Sequence, residues 1–154
     1  NVHHFFFIML SSGFKRFLPK TLKPEHAHAH NIIGSEWWCT DNEGRGIICS
    51  AGNGSGPSPV NYVLMALSAC SGAGIKFNLE KRGKTIRSLD IDVTGDWTHD
   101  PSLRIGSIKL NATVDADIDQ ETFSKIVEEV KEKFCPVAGT LLHNVKITSS
   151  AVVK

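Results

Sequence analysis

The sequence predicts an α+β domain, with strands and helices segregated along the chain. Three observations carry this expectation. A strand-like stretch with turn formers follows Pro24, a long run from Pro59 places apolar residues every three or four positions, and a second strand pair precedes a shorter amphipathic run and a terminal strand.

Taken in order, "HAHAHNII" opens the first sheet, with His26, His28 and His30 alternating on one face of an extended segment. Three imidazoles are enough to hold a metal. No acidic or cysteine ligand falls at a matching spacing, so the favoured reading is a solvated strand face, and no metal or cofactor is expected. "SEWWCTDNEGRGIICSAG" reads as two short strands around the turn "DNEG", completing a three-strand meander.

The Gly/Pro/Ser loop "GNGSGPSP" stops that sheet, and Ser58 or Pro59 opens a helix expected to run from about Pro59 to Arg82. At 1.5 Å per residue it spans roughly 35 Å. Val60, Val63, Leu64, Leu67, Cys70 and Ser71 form its expected buried face, and Gly83 its stop.

"SLDIDVTGDWT" and "IGSIKLNATVDA" alternate apolar and polar residues as half-buried antiparallel strands, joined through "HDPS". Asp119 caps a second helix whose stripe is Phe123, Ile126, Val127, Val130 and Phe134, ending at Cys135-Pro136. A short helical turn and the strand "NVKITSSAVV" close the chain.

The leading "NVHHFFFIMLSSGFKRFLPK" stands apart. Its apolar run from Phe5 to Leu10 is too short for a membrane span and lacks the basic lead of a signal peptide. The expected organisation is therefore an N-terminal arm over 1–25 and one domain over 26–154. A packed arm is favoured over a membrane or partner anchor.

Lys+Arg 17 against Asp+Glu 16 leaves a formal net charge of +1, so the chain lacks the field that draws proteins to nucleic acid or anionic membrane, and neither is expected as a partner. Four cysteines, Cys39, Cys49, Cys70 and Cys135, are too few and too dispersed for a secreted disulfide scaffold or a structural zinc site. A cytoplasmic location follows, with the mitochondrial matrix as the alternative if an upstream targeting segment is removed in a eukaryote.

"PSPVNYVLMALSACSGAGI", followed by "FCPVAGTLL" and a terminal strand, resembles the OsmC/Ohr family, which includes osmotically inducible protein C and the organic hydroperoxide resistance proteins. The resemblance covers the chain from about residue 26 onward. It rests on a cysteine eleven residues after the helix-opening proline and a second one, 65 residues later, in Cys-Pro-Val.

The resemblance implies an OsmC-like fold in an intertwined homodimer, with sites at the subunit boundary. It also implies a thiol-dependent peroxidase. Cys70 is then the peroxidatic thiol, oxidised to a sulfenic acid by an organic hydroperoxide, and Cys135 the resolving thiol, whose disulfide a dithiol reductant reopens.

A mid-helix thiol gains little from the helix N-terminus, and burial among Leu67, Ala69 and Ile75 raises its pKa, so the chemistry needs a cation. Peroxidases of this family supply an arginine held by a glutamate directly after the helix-opening proline. Val60 stands at that glutamate's position, and Arg45, with Glu43 beside it, is the nearest replacement cation. A solvated turn arginine is an equally good reading of Arg45.

Other side chains carry paired readings. Cys70 is alternatively a small buried hydrophobe. Gly72 and Gly74 mark either close packing, which is favoured, or space beside the thiol. His143 is a proton donor or, with better odds, a solvated helix end. Trp37, Trp38 and Trp97 are groove linings or, more often, core or dimer contacts. Tyr62 and Met65 border the Cys70 pocket, and Cys39 and Cys49 pack in strands. Two further function classes stand beside the peroxidase: a noncatalytic OsmC-like small-molecule binder, favoured by Val60, and a structural subunit of a larger assembly.

Overall fold

A computed structural model of the chain describes residues 27–52 and 54–154. The arm expected over 1–25, and His26, lie outside the described residues. The chain divides into two compact units, one ending at Ser58 and one spanning Pro59–Lys154.

The described part of the first unit is an antiparallel meander of β1 (Ala27–Ile33), β2 (Glu36–Asp41) and β3 (Gly46–Ser50). Gly34, with a φ of 55°, turns β1 into β2, and Gly44, with a φ of 78°, completes the expected "DNEG" turn. Trp38 lies across Gly46, where any Cβ would meet the indole ring, so β3 must begin with a residue lacking a side chain. Trp37 and Trp38 are exposed rather than buried. His28 and His30 stand opposite Thr40 and Trp38 on one face of this sheet.

The second unit opens with α1 (Pro59–Lys81), one residue short of its expected end. Gly83, with a φ of 70°, ends it: the Gly83 and Lys84 amides donate back to the Glu80 and Leu79 carbonyls. The buried stripe is shifted from the expected one. Leu67 and Ser71 are buried as anticipated, but the stripe continues through Ile75, Asn78 and Leu79, while Val63 is exposed and Val60 and Cys70 are half-buried. The N-terminal third of α1 therefore turns an apolar side outward.

β4 (Ile86–Thr98) and β5 (Arg104–Ala116) pair antiparallel, with Leu89, Ile91 and Val93 opposite Val114, Ala112 and Leu110. β6 (Lys146–Val153) joins β5 in parallel and makes it the central strand. Ile108, Leu110, Ala112 and Val114 are almost wholly buried on β5, meeting Leu67, Ile75 and Leu79 of α1 in one core. Burial of each large aliphatic side chain there contributes about 1.5–3 kcal/mol.

The second helix departs from expectation in its last turn. Asp119 caps α2 (Gln120–Glu129), accepting from the Thr122 amide at 2.8 Å, and Phe123, Ile126 and Val127 are buried as the stripe requires. The α-helix ends at Glu129, and Val130–Phe134 form a wider π turn closed by the Cys135 amide on the Val130 carbonyl at 2.9 Å. Pro136 supplies the cause of the stop. Its ring disfavours helical backbone in the residue before it, and Cys135 is extended, with φ −94° and ψ 106°. A new helix, α3 (Pro136–Leu142), starts from that proline.

Candidate functional site

Two junctions place the thiols. Cys70 sits in the middle of α1, and Cys135 is the cap residue between the π turn and α3. The kink at Cys135-Pro136 turns the Cys135 sulfur back toward α1, where it accepts from Ser71, the neighbour of Cys70, and the two thiols are near enough to shift each other's ionisation. Both are unoxidised, Cys70 half-buried and Cys135 only 4% exposed.

Cys135 has the better surroundings for negative charge. Its sulfur accepts from the Ala138 amide at 3.3 Å and from the Ser71 hydroxyl at 3.5 Å, with the Val137 amide as a further donor. The Cys70 thiol, followed by these donors, outweighs the opposing effect of burial and brings Cys135 down to about 6. Cys70 moves the other way: its bond to Cys135, with burial, pushes it well above the ordinary thiol range, despite some help from the Val137 amide. The two thiols titrate as a pair, and the Ala138 amide and Ser71 hydroxyl make the Cys135 sulfur the better place for the negative charge.

Ser71 is the member of this cluster that sequence reasoning did not single out for chemistry. It is 1% exposed, and its hydroxyl bridges the helix carrying Cys70 to the sulfur of Cys135. The available signal was a buried serine next to a candidate nucleophile.

Arg45 lies in the first unit, at the β2–β3 turn. Its guanidinium is paired with Asp41 at 2.7 Å and with Glu43 at 3.1 Å, and the side chain is 72% exposed. Glu43 thus holds it locally. Among the remaining expected residues, Met65 is half-exposed and Tyr62 half-buried on α1, and His143 is an exposed cap at the end of α3. Trp97 is also exposed. Among the described residues no cluster of His, Cys, Asp and Glu is arranged to hold a metal.

Gly74 is explained by packing. A Cβ on it would lie 2.8 Å from a Val130 methyl, at the start of the π turn, so the glycine lets α1 and the segment leading to Cys135 approach. Gly72 faces Ile91 of β4, where a Cβ would lie at 3.2 Å. Both glycines therefore serve close packing within this chain.

Fold and site together define an α+β domain that holds two thiols between a long helix and a proline-started one. The family model described as OsmC-like protein matches residues 52–150, and the chain belongs to that family. An OsmC-like protein from Mycoplasma pneumoniae has the same fold, with a TM-score of 0.76 at 20% identity over 87% of this chain and 100% of that one. The organic hydroperoxide resistance protein OsmC of Legionella pneumophila gives 0.70 at 17% identity, over 86% and 99%. OhrB, the organic hydroperoxide resistance protein of Bacillus subtilis, gives 0.66 at 19%, over 85% and 99%. Among curated proteins none matches in sequence.

Proposed function

We propose that the protein is a thiol peroxidase that reduces organic hydroperoxides through Cys70 and Cys135. The observation that carries this reading is that two thiols 65 residues apart in sequence meet in one cluster, where Ser71, beside Cys70, donates to the Cys135 sulfur and each thiol shifts the other's ionisation. Membership of a family whose structural neighbours include hydroperoxide resistance proteins supports a redox role.

In the proposed cycle the Cys70 sulfur, the less buried of the two, attacks the distal peroxide oxygen while the Cys135 thiolate takes its proton. The S–O bond forms as the O–O bond breaks. Cys135 returns that proton to the departing alkoxide, which leaves as an alcohol, and is again a thiolate beside a Cys70 sulfenic acid. It then attacks the Cys70 sulfur. The S–O bond breaks, hydroxide leaves and is protonated by solvent, and the disulfide awaits a dithiol reductant. The homodimer is part of the proposal, since the outward apolar side of α1 suits a second copy. Arg45 remains the proposed cation for the Cys70 sulfur as it gives up its proton.

Peroxide consumption with a dithiol reductant tests the cycle. Cys70→Ser should lower turnover at least about 100-fold. Cys135→Ser should leave a dimedone-reactive Cys70 and no disulfide. An unchanged rate in Cys70→Ser, or no Cys70–Cys135 disulfide after peroxide, overturns the reading. Arg45→Ala should slow the first step, and unchanged sulfenic acid formation removes Arg45 from it.

A further inference from the structure

The first unit contains a second pair of sulfurs. In β2 and β3, Cys39 stands opposite Ile47 and Cys49 opposite Trp37, so the two cysteines are diagonal neighbours on one face of the antiparallel pair. Diagonal positions are ordinarily about 7–8 Å apart at the backbone, wider than most disulfides accept. Here the side chains lean together, and the Cys39 thiol donates to the Cys49 sulfur at 3.6 Å.

We infer that Cys39 and Cys49 form a second redox-active dithiol, which an organic hydroperoxide converts into a disulfide within the sheet. The surroundings favour this over metal binding or inert packing. The β1 residues on the same face are Ala29 and Asn31, while His28 and His30 belong to the opposite face, so neither imidazole joins the sulfurs as a ligand. Ordinary core cysteines are both enclosed, but Cys39 is only half-buried while Cys49 is 7% exposed.

That difference in exposure sets the order of events. Burial keeps the Cys49 thiol above its ordinary range and therefore protonated. Cys39, the reachable sulfur, attacks the distal oxygen of the hydroperoxide; the O–O bond breaks, and the thiol proton leaves with the alkoxide as an alcohol. The Cys49 sulfur then attacks the Cys39 sulfenic acid. The S–O bond breaks, hydroxide departs with the Cys49 proton as water, and two thiols have supplied the two electrons that the peroxide takes. Closing from 3.6 Å to the bonded distance of about 2 Å asks for a side-chain movement together with a backbone adjustment that draws the diagonal positions closer.

The test uses the full chain with Cys70→Ser and Cys135→Ser together, which leaves Cys39 and Cys49 as its only thiols. This inference is thereby independent of the peroxidase reading. After cumene hydroperoxide, alkylation with N-ethylmaleimide and trypsin without reductant, cleavage after Arg45 separates the two cysteines unless a disulfide joins them. The expected result is joined peptides from a monomeric chain, reopened by dithiothreitol. Adding Cys49→Ser should leave Cys39 trapped by dimedone as a sulfenic acid. Should the double-serine chain not fold, wild type can be cut additionally after Tyr62 to part Cys49 from Cys70. Separate alkylated peptides, or cross-links only between chains, would overturn the proposal.

Discussion

Ser71 places a hydroxyl in a core position where an aliphatic side chain would otherwise pack, and its hydrogen bond goes to the sulfur that carries the charge. A bond of about 1 kcal/mol to an anion corresponds to roughly 0.7 pH unit. Ser71→Ala should therefore raise the midpoint of Cys135 thiolate formation by about that much, from its value of about 6. Ultraviolet thiolate absorbance and the pH dependence of Cys135 alkylation are the readouts. A midpoint that does not move would sink this role for Ser71. The sign for stability follows from the same pair. Folded, the first proton leaves near pH 6; unfolded, both thiols titrate near their ordinary value, so stability rises with pH between those limits and is lost as pH falls through about 6. Above the ordinary value the trend reverses, because the raised Cys70 thiol keeps its proton only in the folded chain. Sequence reading brought Cys70 and Cys135 together through motif resemblance, but gave no means of assigning the resting charge. That depends on which sulfur meets the Ser71 hydroxyl and the Ala138 amide, a matter of tertiary position. The Cys39–Cys49 approach was hidden for a similar reason, since strand register and side-chain lean decide it.

At the scale of elements, Gly72 and Gly74 form a matched pair for a test. Alanine at either gains about 1 kcal/mol of intrinsic helix preference. At position 74 the new Cβ would press on Val130 at 2.8 Å, at the root of the π turn, and overpacking of this kind costs about 1–3 kcal/mol. At position 72 it meets Cγ1 of Ile91 at 3.2 Å, a milder contact that a shift of a few tenths of an ångström relieves. Gly74→Ala should thus be destabilised by up to about 2 kcal/mol while Gly72→Ala stays within about 1 kcal/mol of wild type, measured by denaturant unfolding. Gly74→Ala should also slow the Cys70–Cys135 disulfide, because Val130 begins the turn that delivers Cys135. Equal stabilities would contradict the packing account. Periodicity had made most elements readable: the alternation of Leu89, Ile91 and Val93 marks β4, and the spacing of Phe123, Ile126 and Val127 marks α2. The π turn escaped it. Val130 and Phe134 keep the four-residue spacing of an α-helix, and the change of winding becomes apparent only from the backbone bond that ends at Cys135. The parallel addition of β6 likewise depends on where α3 releases the chain.

For the whole molecule, the surface best suited to association is on α1. Of its 23 residues only Leu67, Ser71, Ile75, Asn78 and Leu79 are buried, and Val63 and Met65 are 38% and 50% exposed. Ala66 and Ala69 are exposed beside them, and a groove of about 700 Å³ lined by Ser68, Gly72, Leu89 and Ile91 runs between α1 and β4. Small and flexible apolar residues along such a helix suit close approach by a second copy, and a formal net charge of +1 puts little repulsion in the way. The proposed homodimer should therefore be held mainly by apolar burial and survive high salt. Met65→Lys with Ala69→Lys forces two ammonium groups per chain either to lose water or to keep the copies apart. Analytical ultracentrifugation should show wild type as a dimer and this variant weakened by about 100-fold or more, with the far-ultraviolet circular dichroism unchanged. A wild-type chain that sediments as a monomer at tens of micromolar, or a variant that dimerises equally well, would place the partner surface elsewhere.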